Sequence, residues 1–224
     1  MPLEDIEFAI NPETRCPVVL LLDTSGSMAG ERIQVLNMGI TTFKREVEQD
    51  DTASLRVEVA VVTFDNSAQV IQDFTTVNNF IPPILKASGG TATGAGIELA
   101  LNIVENRRST YKNNGVSYYQ PWIFLITDGN PTDSTSTWQN AAQRAKQTVA
   151  NGKLSFFTVG VQGADMATLR QIAPSNTPPV MLDGLKFHEL FRWLSQSVTK
   201  VSQSKVGSGP VELNPISGWA SVNV

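Results

Sequence analysis

From residue 16 onward the chain alternates between short, nearly unbroken apolar runs and longer stretches in which apolar residues recur every three or four positions. The first kind suits strands covered on both faces and the second suits helices that bury one stripe, so the alternation predicts crossover units around a mostly parallel sheet. The first strand falls at residues 16–23, and the helix after it lines up Ile33, Leu36, Ile40, Phe43 and Val47. Residues 55–64 and 68–74 read as strands joined by Asp65, Asn66 and Ser67, turn formers suited to a hairpin, which makes the third strand antiparallel and an edge. A loop with Pro82, Pro83, Gly89 and Gly90 leads into a helix beginning near Gly94, with Ile97, Leu101 and Val104 on its inner side. Further strands are expected at 122–127, 154–161 and 180–182. Ser134 or Thr135 opens a helix that Asn151-Gly152 stops, a short helix covers 165–172, and Phe187, Leu190, Phe191, Leu194, Val198 and Val201 form the stripe of the last. The fold class is α/β: a doubly wound, Rossmann-like, mostly parallel central sheet with one antiparallel edge strand and helices on both faces.

This pattern divides the chain into an N-terminal extension (1–15), one domain (16–204), and a linker and C-terminal tail (205–224). The extension is acidic; Ile6, Phe8 and Ile10 alternate and could add an edge strand. Gly207-Ser208-Gly209-Pro210 is linker chemistry, and the tail with Trp219 could dock on its own domain, bind another protein or be disordered, disorder being the default for a terminal stretch behind such a linker. With 224 residues and 41% hydrophobic content there is enough chain for one large core.

Charge and cysteine use narrow the function. Against 21 Asp plus Glu, 17 Lys plus Arg leave a net charge of -4, so no broad basic surface is expected and nucleic acid is not an expected partner. The single cysteine, Cys16, has no intrachain disulfide partner and reads as a buried thiol. The start lacks the basic and apolar stretches of a secretory signal, and the longest aliphatic run, 18–22, is far short of the roughly 20 residues that span a bilayer. A cytoplasmic location without membrane insertion is the expectation.

Three fragments carry candidate chemistry. Asp23-Thr24-Ser25-Gly26-Ser27-Met28 lies where the first strand stops, and the carboxyl ends of strands are where open parallel sheets bind ligands. Its alternating carboxylate and hydroxyls are hard oxygen donors suited to Mg²⁺. Thr127-Asp128-Gly129 ends another apolar strand, and Gly89-Gly90-Thr91 precedes a helix. Together they describe one oxygen-lined cation seat.

These fragments resemble the metal-ion-dependent adhesion site of von Willebrand factor A domains, a resemblance that covers roughly residues 15 to 203. It implies that Asp23, Ser25, Ser27, Thr91 and Asp128 hold a divalent metal, most simply Mg²⁺, with Mn²⁺ or Ca²⁺ as alternatives. Ser25 and Ser27 would bind directly, and the others directly or through water according to state. It also implies that a partner protein offers an Asp or Glu to the metal, and that the helix at 186–204 slides when ligation shifts. The tail around Gly218-Trp219-Ala220-Ser221-Val222 is similar to the bacterial TerY-like, tellurite-resistance-associated branch, whose members are often encoded beside a kinase and a phosphatase.

The rim is expected to select the partner, with Met28, Glu31, Arg32, Asp65, Asn66, Thr93, Asn130, Asp133 and Gln162 as candidates. Two rival readings remain. One is a Mg²⁺-dependent hydrolase or phosphotransferase using Asp23, although Ser25 stands where aspartyl phosphotransferases need a second carboxylate. The other is a scaffold domain with a non-functional site. The P-loop and dinucleotide fingerprints are absent, and His188, the single histidine, lies on the last helix among apolar residues, which disfavours a catalytic triad. No catalysis is expected.

Overall fold

The computed structural model describes residues 3–128, 130–207, 209 and 211–221, and among residues 3–6 the backbone alone. The calls on Gly129, Ser208, Pro210 and Val222 therefore lie outside the described residues, as does the side chain of Ile6. A seven-stranded sheet runs in the order β3-β2-β1-β4-β5-β6-β7. Its strands are β1 (Cys16–Asp23), β2 (Val57–Phe64), β3 (Ala68–Thr76), β4 (Trp122–Thr127), β5 (Ser155–Gly160), β6 (Val180–Leu182) and β7 (Ala220–Ser221). Strands β2, β1, β4, β5 and β6 pair in parallel, while β3 and β7 run antiparallel at the two edges.

Every residue of β1, β2 and β4 is buried, as their continuous apolar sequence requires. Alternate residues of β1 serve opposite faces. Val18, Leu20 and Leu22 join the core made with α2 (Glu31–Val47) and α7 (Phe187–Gln203), whereas Val19 and Leu21 join the core made with α4 (Thr93–Asn113), α5 (Thr135–Ala150) and α6 (Met166–Ile172). The predicted stripes of α2 and α7 are buried as expected. Gly39 lets these helices meet, because a Cβ there would lie 2.3 Å from Phe191 Cδ2.

Several expectations need correction. The N-terminal extension forms α1 (Leu3–Ile10) and adds no edge strand. Alternation there would require Ile10 to be buried with Phe8, but Ile10 is 79% exposed, while Phe8 packs edge-on to Tyr111 with ring centroids 6.0 Å apart. The predicted strand at 55–64 starts two residues late, because Leu55 and Arg56 belong to α3 (Asp51–Arg56), capped by the Asp50 carboxylate on Ala53 N–H.

The tail packs against the domain. Val211, Leu213 and Ile216 lie against the core, Trp219 is buried beside Trp193, and β7 closes the sheet edge left open by β6. Trp193 Nε1 donates to the Asn214 carbonyl at 2.7 Å and Asp183 N–H to the Trp219 carbonyl at 2.8 Å. These contacts are long-range and leave no periodic trace in a short segment, which is why linker composition pointed to disorder.

At the amino ends of β1 and β2, the buried Glu58 carboxylate gathers Arg15, Arg107 and the Tyr111 hydroxyl, and Arg107 also reaches Glu7 of α1. Among the described residues, no helix is long and apolar enough to cross a membrane.

Candidate functional site

The chain leaves β1 to build β2 and β3 on one side and then crosses over to build β4 on the other, so the carboxyl ends of β1 and β4 flank the point where the winding reverses. Two connections that depart in opposite directions open a crevice there, the usual ligand position in a doubly wound sheet. Asp23 is the last residue of β1 and Asp128 directly follows β4.

A chain of hydrogen bonds joins them. Asp23 Oδ1 accepts the Ser25 backbone N–H at 2.8 Å, and its Oδ2 accepts the Thr127 hydroxyl at 2.5 Å. The Ser25 and Ser27 hydroxyl oxygens are 2.9 Å apart, and Ser27 Oγ donates to Asp128 Oδ1 at 2.6 Å. Arg32 Nη1 donates to Asp128 Oδ2 and, at 2.9 Å, to the Ser27 carbonyl. Asp23, Ser25 and Asp128 are buried, while Ser27 is open to solvent.

Local structure explains the convergence. After β1 the chain makes a single 3-10 turn at Gly26–Met28, closed by Met28 N–H on the Ser25 carbonyl at 3.0 Å, and the Met28 side chain is fully buried beneath it. The turn thus projects Ser25 and Ser27 to the same side as Asp23.

The Thr91 loop is stitched to both neighbours. Gly26 N–H donates to the Gly89 carbonyl at 3.0 Å and Ser88 N–H to the Thr24 carbonyl at 2.8 Å. On the other flank, Thr91 N–H donates to Thr132 Oγ1 at 2.8 Å and Thr132 N–H returns to the Thr91 carbonyl at 2.9 Å. Gly89 adopts φ 78°, and a Cβ there would stand 2.7 Å from Asn66 Nδ2, so both conformation and space demand glycine.

Burial pushes the Asp23 carboxyl above its ordinary range; hydrogen bonds from Ser25 and Thr127 oppose this and the nearby Asp128 charge adds to it. The cluster holds two buried carboxylates, and Arg32 is ion-paired with one of them, Asp128.

The rim residues fall into three groups. Glu31, Asn130 and Gln162 are exposed. Met28 and Thr93, expected on the rim, are buried, 0% and 1% exposed: Met28 is needed under the turn and Thr93 begins α4 against the core. The rest build the site itself. Asn66 Oδ1 accepts Gly90 N–H at 2.7 Å, the Asp65 carbonyl accepts Ala92 N–H at 2.7 Å, and Asp133 Oδ2 accepts Gly94 N–H at 2.7 Å and Ala95 N–H at 3.3 Å. Thr127 and Thr132 take part without having been singled out. Thr127 was visible only as the strand-end residue before Asp128, and Thr132 carried no signal.

His188 Nδ1 lies 3.2 Å from Thr42 Oγ1, between α7 and α2, and not beside a serine of the site. Cys16 begins β1, at the end away from Asp23; burial pushes its thiol up to about 12, with the Glu58 charge adding to the shift.

The family model of the von Willebrand factor type A domain matches residues 18–189. Calcium-activated chloride channel regulator 1 of Macaca mulatta is 30% identical over 165 residues, 65% of this chain and 16% of that protein. Minor fimbrium subunit Mfa5 of Porphyromonas gingivalis is 29% identical over 122 residues, 52% of this chain and 9% of its own. The chain thus spans a small part of either relative. Among solved structures, the pilus adhesin SpaC from Lactobacillus rhamnosus GG in its open conformation superposes with a TM-score of 0.68 at 15% identity, covering 84% of this chain and 30% of its own. The von Willebrand domain of Mfa5 gives 0.63 at 15% identity, covering 89% and 99%. Proximal thread matrix protein 1 from the mussel byssus, with a zinc-occupied adhesion motif, gives 0.56 at 16% identity, covering 83% and 48%. Identities this low speak to the fold alone.

Proposed function

The chain belongs to the von Willebrand factor type A family, and from that premise we propose that it is a non-catalytic protein-interaction module whose contact point is a hard divalent cation. The observation that carries this reading is the continuous Asp23–Ser25–Ser27–Asp128 hydrogen-bond chain at the crevice between β1 and β4. The donor set fits such an ion: two carboxylates and two hydroxyls are all oxygen ligands, and among the described residues the buried carboxylates have one guanidinium as ion-pair partner, on Asp128. Asp23, Ser25, Ser27 and Asp128, with Thr91 from the adjoining loop, would hold it, Mg²⁺ in our reading. A bound ion would supply Lewis acidity towards an oxygen ligand arriving from outside, here an Asp or Glu of the partner. Ser27, exposed, marks the side of approach, and Glu31, Asn130 and Gln162 are exposed on the segments that follow β1, β4 and β5.

A relative named as a minor fimbrium subunit supports a role in protein contact. A cytoplasmic adaptor of the TerY-like kind, working with a kinase and a phosphatase, is the narrower form of the proposal; it rests on the tail residues 218–222. Co-purification of a kinase or phosphatase with the chain, lost in chelator, would support it. The metal reading itself is tested by Mn²⁺ titration followed by electron paramagnetic resonance. The free-ion signal should fall with the wild-type chain and stay unchanged with Asp23→Ala, whose circular dichroism should remain native. Equal Mn²⁺ binding by both proteins would refute the site.

A further inference from the structure

Arg32 belongs to the first turn of α2, and its guanidinium turns back onto the site. Nη1 bonds both Asp128 Oδ2 and the Ser27 carbonyl, and a Cβ added at Gly163 would lie 3.8 Å from Nη2, so the side chain reaches across to the turn beyond β5. Asp128 is thereby divided: Oδ1 takes the Ser27 hydroxyl and Oδ2 takes the guanidinium. The Asp128 side chain is fully buried whereas that of Arg32 is 30% exposed. Of the two partners, Arg32 is the one that can let go by swinging into water, where its charge is hydrated.

A divalent ion ligated by Asp128 would sit within a few ångströms of this guanidinium, and like charges so close repel strongly in a partly dry crevice. The two cations also compete for one carboxylate. Resting on the metal-binding reading above, we propose that Arg32 is an internal counter-cation: it neutralises Asp128 in the metal-free protein and is displaced when a divalent ion binds, which sets the metal affinity of the site lower than its donor set alone would give. The pairing agrees: Arg32 compensates Asp128, whereas the Asp23 oxygens are held by the Ser25 N–H and the Thr127 hydroxyl.

The test is Mn²⁺ calorimetry on the full chain at fixed ionic strength, comparing wild type with Arg32→Gln, Arg32→Lys and Arg45→Gln. Breaking a partly exposed ion pair corresponds to about a twofold to fivefold change in an equilibrium constant, so Arg32→Gln should bind Mn²⁺ tighter by about that factor. Arg32→Lys keeps the charge without the planar fork and should fall between. Arg45→Gln removes the same charge about 20 Å further along α2 and should match wild type. Melting temperature gives a readout independent of affinity: Arg32→Gln should melt lower than wild type in chelator, where Asp128 loses its partner, and level with it in saturating Mn²⁺. Unchanged or weaker binding by Arg32→Gln overturns the proposal, as does an equal gain in Arg45→Gln or an unchanged melting point in chelator. If wild type binds and Arg32→Gln binds no better, the competition alone fails; if neither protein binds Mn²⁺, the metal reading fails with it.

Discussion

Asp133 separates a building role from a rim role, and its replacement by alanine can be worked through from the structure. Helix α4 starts after Ala92, which has no side chain able to accept from the first-turn amides, and Asp133 supplies the missing acceptor from the loop after β4. Losing a cap costs about 0.5–2 kcal/mol, and losing a negative charge at a helix N-terminus about 0.3–1 kcal/mol more. The expected loss is therefore about 1–3 kcal/mol, which for a chain of this size lowers the melting temperature by about 3–10 °C. The same loop carries Thr132, whose two hydrogen bonds fix the Thr91 backbone, so Asp133→Ala should also weaken Mn²⁺ binding. Asp133→Asn keeps a carbonyl oxygen for the amides and should lose less of both. Thermal melts with and without saturating Mn²⁺ measure the two effects. If Asp133→Ala melts with wild type and binds metal equally, yet loses a partner, Asp133 is a contact residue and its place as the cap of α4 is unimportant.

Three further outcomes follow from the packing. Glu58→Ala takes the carboxylate from the fully buried Arg15 and leaves Arg107 with Glu7, and should cost about 3–5 kcal/mol in urea unfolding; a loss under about 1 kcal/mol contradicts the network's role. Gly39→Ala forces a Cβ into the Phe191 ring and should destabilise by about 1–3 kcal/mol; an unchanged urea midpoint would mean that α2 and α7 yield freely. Cys16, with its thiol pushed up to about 12 from an ordinary value of 9.0, should resist iodoacetamide at about pH 8 until the chain unfolds. Because the folded state holds that proton where the unfolded state releases it, the thiol's contribution to stability is intact below about pH 9 and declines as pH rises towards 12. Labelling of the native protein at the rate of a free thiol would contradict this burial.

How much was legible in advance depended on the range of the interaction. The buried strands at 16–23 and 122–127 and the stripe of the last helix are written as periodicity, because each buries its residues in a regular local pattern. Asp23 and Asp128 were legible as candidates for the same reason: a polar residue that stops an apolar run marks a strand end. Helix α3 was not, since six residues capped by Asp50 are too short to show a period, and Leu55 is 37% exposed. Nor were the docking of Trp219 on Trp193 or the folding of residues 3–10 into a helix over Tyr111, because each depends on a surface assembled from distant segments. Arg32 was placed at the site as a rim residue; its pairing with Asp128, 96 positions away, is a tertiary fact without a local signature. Met28 shows the opposite error, a residue beside the motif whose side chain the 3-10 turn sends inward.

The central claim concerns where a hard cation binds, and anomalous diffraction from crystals equilibrated with Mn²⁺ measures that directly. A strong anomalous peak within about 2.3 Å of the Ser25 and Ser27 hydroxyl oxygens, at the carboxyl ends of β1 and β4, is the predicted result. A map with its strongest Mn²⁺ peak elsewhere, or with none in that crevice at saturating metal, would contradict the account.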